Sequence, residues 1–330
     1  MKKHFTLVIC CILIIAATLP ARAQDSVDPQ LLNTVQTAFT NLLNQSSFTQ
    51  NTTSTTEFPD TLNGAVTNQG SASYQLAAAA NGWNISGTQT TTISAPPGGN
   101  ISDTATTSME LVIVDGISYI RFTAVPEFMQ SRNLPQVWTA LDQSQEQRFA
   151  GMKTSSEEVT VALNLPLDAS GITALTETAA DTIDGQAMRV FQITFDSQAV
   201  MNSGASSLIG GAGDSMVIIG DERVGESGGP SVSSSGGGGV PSGAPDTNSS
   251  GGGSAPPIQQ GNFQPPSMDS QITATVWVGS DGLVHRITIV VTSTPTDSSV
   301  GNSGSSTVTT TIDFTDFNQS ITIAAPTVGT

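Results

Sequence analysis

The sequence predicts an α+β fold that consists mainly of antiparallel β-strands. Three observations support this prediction: one amphipathic helical segment near the N-terminus, many short segments of alternating polarity, and Asp-Gly pairs that join such segments two by two. No alternation of strand, helix and strand occurs, which disfavours a parallel sheet.

Two segments have helical spacing. Asp28 can cap the first helix and Pro29 takes the favoured first position. Its apolar residues recur every three to four positions: Leu31, Val35, Ala38, Phe39 and Leu42. A second helix is predicted over 134–149, with Val137, Trp138, Leu141 and Phe149 on one side.

The remaining ordered segments alternate with a period of two and predict strands. Hairpins are expected at Asp115-Gly116, Asp184-Gly185 and Asp281-Gly282, and further turns at Asn63-Gly64 and Asn81-Gly82. Other strands are predicted over 159–165, 308–314 and 321–324. In the first of these Val159, Val161, Leu163 and Leu165 would share one face, which would place Glu157 and Glu158 on opposite faces.

The N-terminus has the pattern of a secretory signal. Lys2 and Lys3 precede an apolar run over 5–19, and Ala21-Arg22-Ala23 offers a cleavage site before Gln24. Residues 1–23 are therefore predicted to be a signal peptide that also removes both cysteines, Cys10 and Cys11. The expected location is periplasmic, extracellular or at the cell surface.

Residues 203–268 are rich in Gly, Ser and Pro and predict a disordered insertion, because they cannot bury enough apolar surface to offset their ordering entropy. Its apolar island at 216–219 could form a short strand. The folded domain would then comprise 24–202 plus 269–330. The net charge of -17 repels phosphate backbones and excludes nucleic acid as a partner.

Several motifs, in this order, resemble the LolA/LppX/LprG-like superfamily of bacterial envelope lipoprotein and lipid carriers. They lie at 114–121, Trp138, 183–185, 190–193, 276–278, 281–288, 312–318 and 321–326. The resemblance implies a half-barrel sheet around an N-terminal helix and one or two further helices, with a hydrophobic cavity that binds a lipid or acyl chain. It implies no catalytic residue and no cofactor. The insertion at 203–268 and the missing lipobox distinguish this chain from the anchored members.

The catalytic and metal-binding motifs in the sequence each lack a residue that their chemistry requires. Residues 225–230, Gly-Glu-Ser-Gly-Gly-Pro, are similar to the nucleophile loop of trypsin-like proteases. That chemistry needs a histidine base upstream, and His4 leaves with the predicted signal. His285, the other histidine, is one candidate metal ligand without evident partners. The sequence therefore predicts neither an enzyme nor a metal site.

The candidate ligand-contacting residues are large and apolar, and each could instead fill the core. They are Leu42, Trp83, Tyr119, Phe122, Phe128, Met129, Trp138 and Phe191. The leading hypothesis is a monomeric, non-enzymatic carrier of a lipid or acyl chain, with an envelope membrane protein as donor or acceptor. The alternative is a structural or interaction module of the cell surface whose core leaves no cavity.

Overall fold

The computed structural model describes residues 27–57, 67–80, 82–94, 104–142, 155–203, 268–296 and 305–329. The predicted signal peptide, nearly all of the insertion, the Asn63-Gly64 turn and the island at 216–219 lie outside these residues. Within them the chain forms one antiparallel sheet of twelve strands, three short α-helices and two 3-10 helices. The predicted α+β class, mainly antiparallel β, is confirmed.

The first part of the chain runs from a helix into a strand meander. Helix α1 spans Pro29–Leu43. The following elements are β1 (Ser47–Glu57), β2 (Thr67–Ala79), β3 (Gly82–Ser94), β4 (Thr104–Val114), β5 (Ile117–Ala124), a 3-10 helix η1 (Glu127–Arg132) and the two-residue strand β6 (Thr139–Ala140).

The second part alternates short helices with strands. It comprises α2 (Ser156–Val159), the 3-10 helix η2 (Val161–Asn164), β7 (Ile172–Glu177), β8 (Asp181–Ile183), β9 (Gln186–Phe195), α3 (Ser197–Asn202), β10 (Met268–Gly279), β11 (Val284–Pro295) and β12 (Ser306–Thr315).

The sheet order shows how the two parts join. It reads β6-β5-β4-β3-β2-β1-β12-β11-β10-β9-β7, with β8 paired to β9. The first and last long strands, β1 and β12, therefore pair at the centre, and the sheet stays open with β6 and β7 at its edges. This is the open antiparallel arrangement that a half-barrel requires.

The predicted first helix is confirmed. The Asp28 side chain accepts a hydrogen bond of 2.8 Å from the Gln30 backbone N–H, and Pro29 begins the helix. Val35, Ala38, Phe39 and Leu42 form its buried side. Of the helices in the described residues, none is long and apolar enough to cross a lipid bilayer.

Two Asp-Gly hairpins have the backbone geometry that their sequence predicts. Asp115 and Gly116 have φ values of 51° and 79°, and Asp184 and Gly185 have the same two values. Two consecutive residues with positive φ match the right-handed twist of the flanking strands. The Asp281-Gly282 hairpin also forms, with a bulge between Trp277 and Val278.

The helix predicted over 134–149 is wrong in its described part. Residues 134–142 are irregular except for β6. The backbone groups here bond to the edge of β5 instead, since Phe122 donates to the Pro135 carbonyl and Leu141 donates to that of Ser118. Pairing with the free edge of β5 is therefore favoured over the helix that the spacing of the apolar residues predicts.

The strand predicted over 159–165 is also wrong. Ser155 and Glu158 form a reciprocal capping box that begins α2, and η2 follows directly. Val159, Val161, Leu163 and Leu165 are all buried, as predicted, but so is Ala162. Glu158 is consequently a helix-capping residue and does not lie opposite Glu157 on a strand.

Residues 321–324 form no strand, against the prediction. Both edges of β12 are already occupied by β1 and β11, so the chain cannot add a neighbour there. Positive φ angles at Asp316 and Asn318 turn the chain out of the sheet. The tail ends with a hydrogen bond from Gly329 N–H to the Trp138 carbonyl.

Candidate functional site on the inner face of the sheet

The helices pack on one face of the sheet, which we call the inner face. Helix α1 contacts β7, β10 and β11, and α2 contacts β3. Strand pairing puts Phe48, Gln50, Thr52, Ser54 and Thr56 on this face, because alternate residues of β1 point the same way. The register then identifies the inner-facing residues of every paired strand.

Large apolar side chains fill both flanks of the inner face. On the β3–β5 side the buried residues are Ile85, Met109, Leu111, Ile113, Ile120 and Phe122. On the β9–β11 side they are Phe191, Ile193, Phe195, Ile272, Val276, Ile287, Ile289 and Val291. These flanks form the walls of the inner face and belong to one continuous core.

A row of much smaller side chains crosses five strands, three or four residues from one end of each. Thr107, Thr91, Gly70, Ser54 and Thr310 are paired in this order across five adjacent strands, and we call them the small-residue strip. All five are half-buried. At about 4.8 Å per strand the strip is about 19 Å long. Large side chains normally fill such positions in a packed core, so we infer from residue size that the strip forms a shallow trough on the inner face.

One row beyond the strip, four inward-facing residues are buried. Thr56, Asn68, Ile93 and Ala105 pair across β1 to β4, and we call them the buried row. Asn68 is only 7% exposed. Within the described part of the chain its side-chain Oδ1 has no hydrogen-bond partner. An unpaired buried acceptor is unfavourable, so this amide is suited to a donor that comes from outside.

On the opposite side of the strip, polar side chains hold α2 against the sheet. Gln50, 1% exposed, donates from Nε2 to the Val159 carbonyl over 3.0 Å. The buried Tyr74 hydroxyl donates to Gln89 Oε1 over 3.3 Å. Burial raises the pKa of Tyr74, and the nearby Glu158 carboxylate raises it further. Tyr74 is therefore a neutral hydrogen-bond donor at physiological pH.

Six of the eight predicted ligand contacts lie at or near the inner face or in η1. Leu42 and Phe191 are fully buried, Phe122 is nearly so, and Trp83 is half-buried with its ring 5.0 Å from that of Phe48. Met129 is buried in η1, where its sulfur accepts a hydrogen bond from Thr107 of the strip. Phe128 also belongs to η1, but its side chain lies outside the described residues.

The other two predicted contacts lie on the outer face of the sheet. Tyr119 alternates with the inward-facing Ile120 and therefore points outward. The Trp138 ring lies 4.9 Å from the Arg121 guanidinium, which pairs with Glu110 on the same outer face. Both residues cover the outer face of the sheet, and for Tyr119 the period of two along β5 is the physical reason.

The small-residue strip was missed because only large apolar residues were considered as ligand contacts. The sequence contains a signal for it. Residues 52–56 are all Thr or Ser, so either alternate set of this strand would present small residues where an inner-facing row is normally large and apolar. What the sequence does not show is which strands are neighbours and thus that these residues form one row.

A second cleft, of about 390 Å³, lies where α1 meets the β10–β11 turn. Its polar lining includes Asn33, Thr37, Asn41, Ser280 and Arg189. The Arg189 guanidinium makes two hydrogen bonds, of 2.8 and 2.9 Å, to the Glu177 carboxylate, which lowers the pKa of Glu177. The charge of this arginine is thus already neutralised by its partner.

Groups capable of metal binding are scattered. In the described ranges, no three His, Cys, Asp or Glu side chains lie close enough together to hold a metal ion. His285 Nε2 lies 3.0 Å from Asp281 Oδ2, and its ring contacts that of Phe317. The protease-like loop at 225–230 lies outside the described residues.

Comparison with known proteins gives structural likenesses at low identity. No protein-family model matches the chain, and no curated protein matches it. LprF from Mycobacterium bovis is similar over 92% of this chain and 100% of its own, with 11% identity and a TM-score of 0.39. Mycobacterium tuberculosis lipoprotein LppX is similar over 90% of this chain and 100% of its own, with 14% identity and a TM-score of 0.40.

A LolA superfamily protein from Nitrosomonas europaea is similar over 86% of this chain and 91% of its own, with 8% identity and a TM-score of 0.21.

Proposed function

We propose that this protein binds a lipid or acyl chain in the trough of the inner face and carries it outside the cytoplasmic membrane. One observation carries the proposal: the small-residue strip consists of small, half-buried residues, while large apolar residues fill the rest of the inner face on the β3–β5 and β9–β11 strands. A hydrocarbon chain laid along the strip would contact Ile289 at one end and the Met109 and Phe122 flank at the other.

The energetics favour such a ligand. Each methylene removed from water stabilises the complex by about 0.8 kcal/mol, so a few buried methylenes give useful affinity without directional contacts. The strip lies on five paired strands of the sheet, so the binding surface is largely preformed. A preformed site loses little conformational entropy on binding.

The N-terminal pattern around Lys2, Lys3 and Ala21-Arg22-Ala23 supports an extracytoplasmic site of action. A carrier in that compartment would exchange its cargo with an envelope membrane protein. Helix α2 is the element that would open the trough, because it is one turn long and rests on the sheet next to the strip.

The first experiment is native mass spectrometry of the protein purified without detergent, followed by organic extraction. We expect a co-purifying species of lipid mass and uptake of methyl oleate by the delipidated protein. A clean protein mass together with no uptake would refute the proposal and favour the structural module with a sealed core.

Two adjacent threonines of β12 provide a matched pair of variants. Thr310 faces inward between Ser54 and Ile289, whereas Thr309 faces outward between Thr55 and Val290. Thr310→Leu should fill the trough and displace about two methylenes of ligand, which weakens methyl oleate binding roughly tenfold. Thr309→Leu should leave the affinity within about twofold. Equal effects of the two substitutions would exclude the strip as the binding site.

A further inference from the structure

We propose that the cargo is a neutral lipid with a hydroxyl group, and that the Asn68 side chain hydrogen-bonds to that hydroxyl. This inference rests on the proposed function and specifies its ligand class. The observation behind it is the juxtaposition of the small-residue strip with a buried amide whose oxygen has no partner in the described residues.

The Asn68 side chain is positioned to form a hydrogen bond with a polar group of a ligand in the trough. It faces inward between Thr56 and Ile93, one row from Gly70 of the strip. Asn68 is the second residue of β2, and its backbone is paired with β1 on one side and β3 on the other, which directs the amide to the inner face. A donor supplied by the ligand would remove the penalty of the unpaired buried oxygen.

The strip itself is more polar than a purely hydrocarbon ligand requires. Four of its five residues, Ser54, Thr91, Thr107 and Thr310, carry hydroxyl groups. The apolar residues at both ends of the strip suit an acyl chain that lies along it, and the hydroxyl groups suit the polar end of the same molecule. The inner face therefore matches an amphipathic ligand.

The charge of the inner face restricts which polar group the ligand can carry. By strand register, β1–β4 and β10–β12 direct no Asp, Glu, Lys or Arg side chain inward within their paired residues. A buried ammonium would find no counter-ion on these seven strands, and neither would a buried carboxylate or phosphate. Ionised carboxylates and phosphodiesters are also acceptors only and cannot donate to Asn68 Oδ1.

A hydroxyl satisfies both requirements. It is uncharged, it can donate to Oδ1, and it can accept from the Nδ2 of the same amide. Acylglycerols and glycolipids with free hydroxyls are the lipid classes that carry such a group next to an acyl chain.

The test compares three ligands that share one acyl chain. Monooleoylglycerol offers hydroxyls, methyl oleate offers none, and oleate adds a negative charge. Affinities are measured on delipidated protein by native mass spectrometry and by competition with a fluorescent acyl probe. We expect monooleoylglycerol to bind roughly tenfold more tightly than methyl oleate, as one satisfied buried hydrogen bond implies. Oleate should bind no more tightly than methyl oleate.

Asn68→Leu removes the amide at similar volume, and Gln69→Leu removes the exposed amide next to it on the outer face. We expect the tenfold preference to fall to within about twofold in Asn68→Leu and to persist in Gln69→Leu. The lipid-free Asn68→Leu protein should melt no lower than wild type, because the unpaired oxygen is gone; this checks that it folds.

The outcomes separate the two proposals. If methyl oleate binds but wild-type protein shows no preference for monooleoylglycerol, the hydroxyl inference is overturned and the carrier function stands. The same holds if Asn68→Leu keeps the full preference. If neither lipid binds wild-type protein, the proposed function fails and the inference fails with it.

Discussion

The hydrogen bond from Gln50 to helix α2 is the contact whose loss should affect both stability and ligand access. Gln50 is buried on β1, and its Nε2 donates to the carbonyl of Val159, the last residue of α2. The substitution Gln50→Met keeps the length of the side chain and removes the donor. The Val159 carbonyl then loses this partner at a buried position.

The size of the effect follows from the burial. A buried carbonyl that loses its partner costs about 1–3 kcal/mol, whereas the added apolar surface of Met offsets part of this. We therefore expect a loss of about 2 kcal/mol in the free energy of unfolding. For a domain of 150–250 residues this corresponds to a fall in Tm of about 4–8 °C.

Two measurements report this change. Differential scanning calorimetry gives the Tm, and amide hydrogen exchange over residues 155–165 reports local opening of α2 and η2. We expect faster exchange in this segment than in β10 and β11, because α2 is one turn long and is attached by few polar contacts. Gln75→Met is the matched control, since Gln75 is exposed on the outer face of β2.

A Tm within about 1 °C of wild type in Gln50→Met would refute the reasoning, since it would mean that the hydrogen bond contributes less than about 0.5 kcal/mol. Exchange that accelerates evenly over the whole sheet would show that α2 does not open independently. Either result would remove α2 as the element that opens the trough.

Three further predictions concern other parts of the fold. Phe48→Ala should lower the free energy of unfolding by about 3–5 kcal/mol in denaturant titrations, because this buried ring contacts Trp83 and Phe314. Gly116→Ala should lower it by about 1 kcal/mol, since its φ of 79° disfavours a Cβ. Hydrogen bonds from the Ser170 hydroxyl and from backbone N–H groups lower the pKa of Asp168, so their stabilisation is present above the unfolded pKa near 4. This stabilisation should be lost as the pH falls through the lower pKa of Asp168 in the folded protein. In Asp168→Asn the Tm should therefore depend less on pH between about 2 and 6 than in wild type.

Features set by neighbouring residues were predictable from the sequence. Asp28 and Pro29 define the start of α1, and each Asp-Gly pair defines a turn, because the geometry involves only a few adjacent residues. The same local signals were overlooked at Ser155 and Glu158. Their spacing is that of a capping box, and it takes precedence over the alternating apolar residues that follow.

Features set by distant neighbours were not predictable in this way. Residues 134–142 extend along β5 because that edge is free, and residues 321–324 leave the sheet because the edges of β12 are occupied. The pairing of β1 with β12 joins segments from opposite ends of the chain. Local periodicity does not report either the free edge or this pairing, so it could not reveal the small-residue strip.

The strip crosses the seam between the two halves of the sheet, and this position has a thermodynamic consequence. Ser54 of β1 and Thr310 of β12 are paired across that seam, at the point where the inner face carries the smallest side chains. Side-chain packing across the seam is therefore weak at Ser54 and Thr310. It is stronger at the end of the seam where the Phe48 and Phe314 rings are in contact. A ligand in the trough would contact both halves at once and supply the missing packing. At a free concentration of 100 times Kd it would stabilise the folded state by about 2.7 kcal/mol, enough to make the bound carrier distinctly harder to unfold than the empty one.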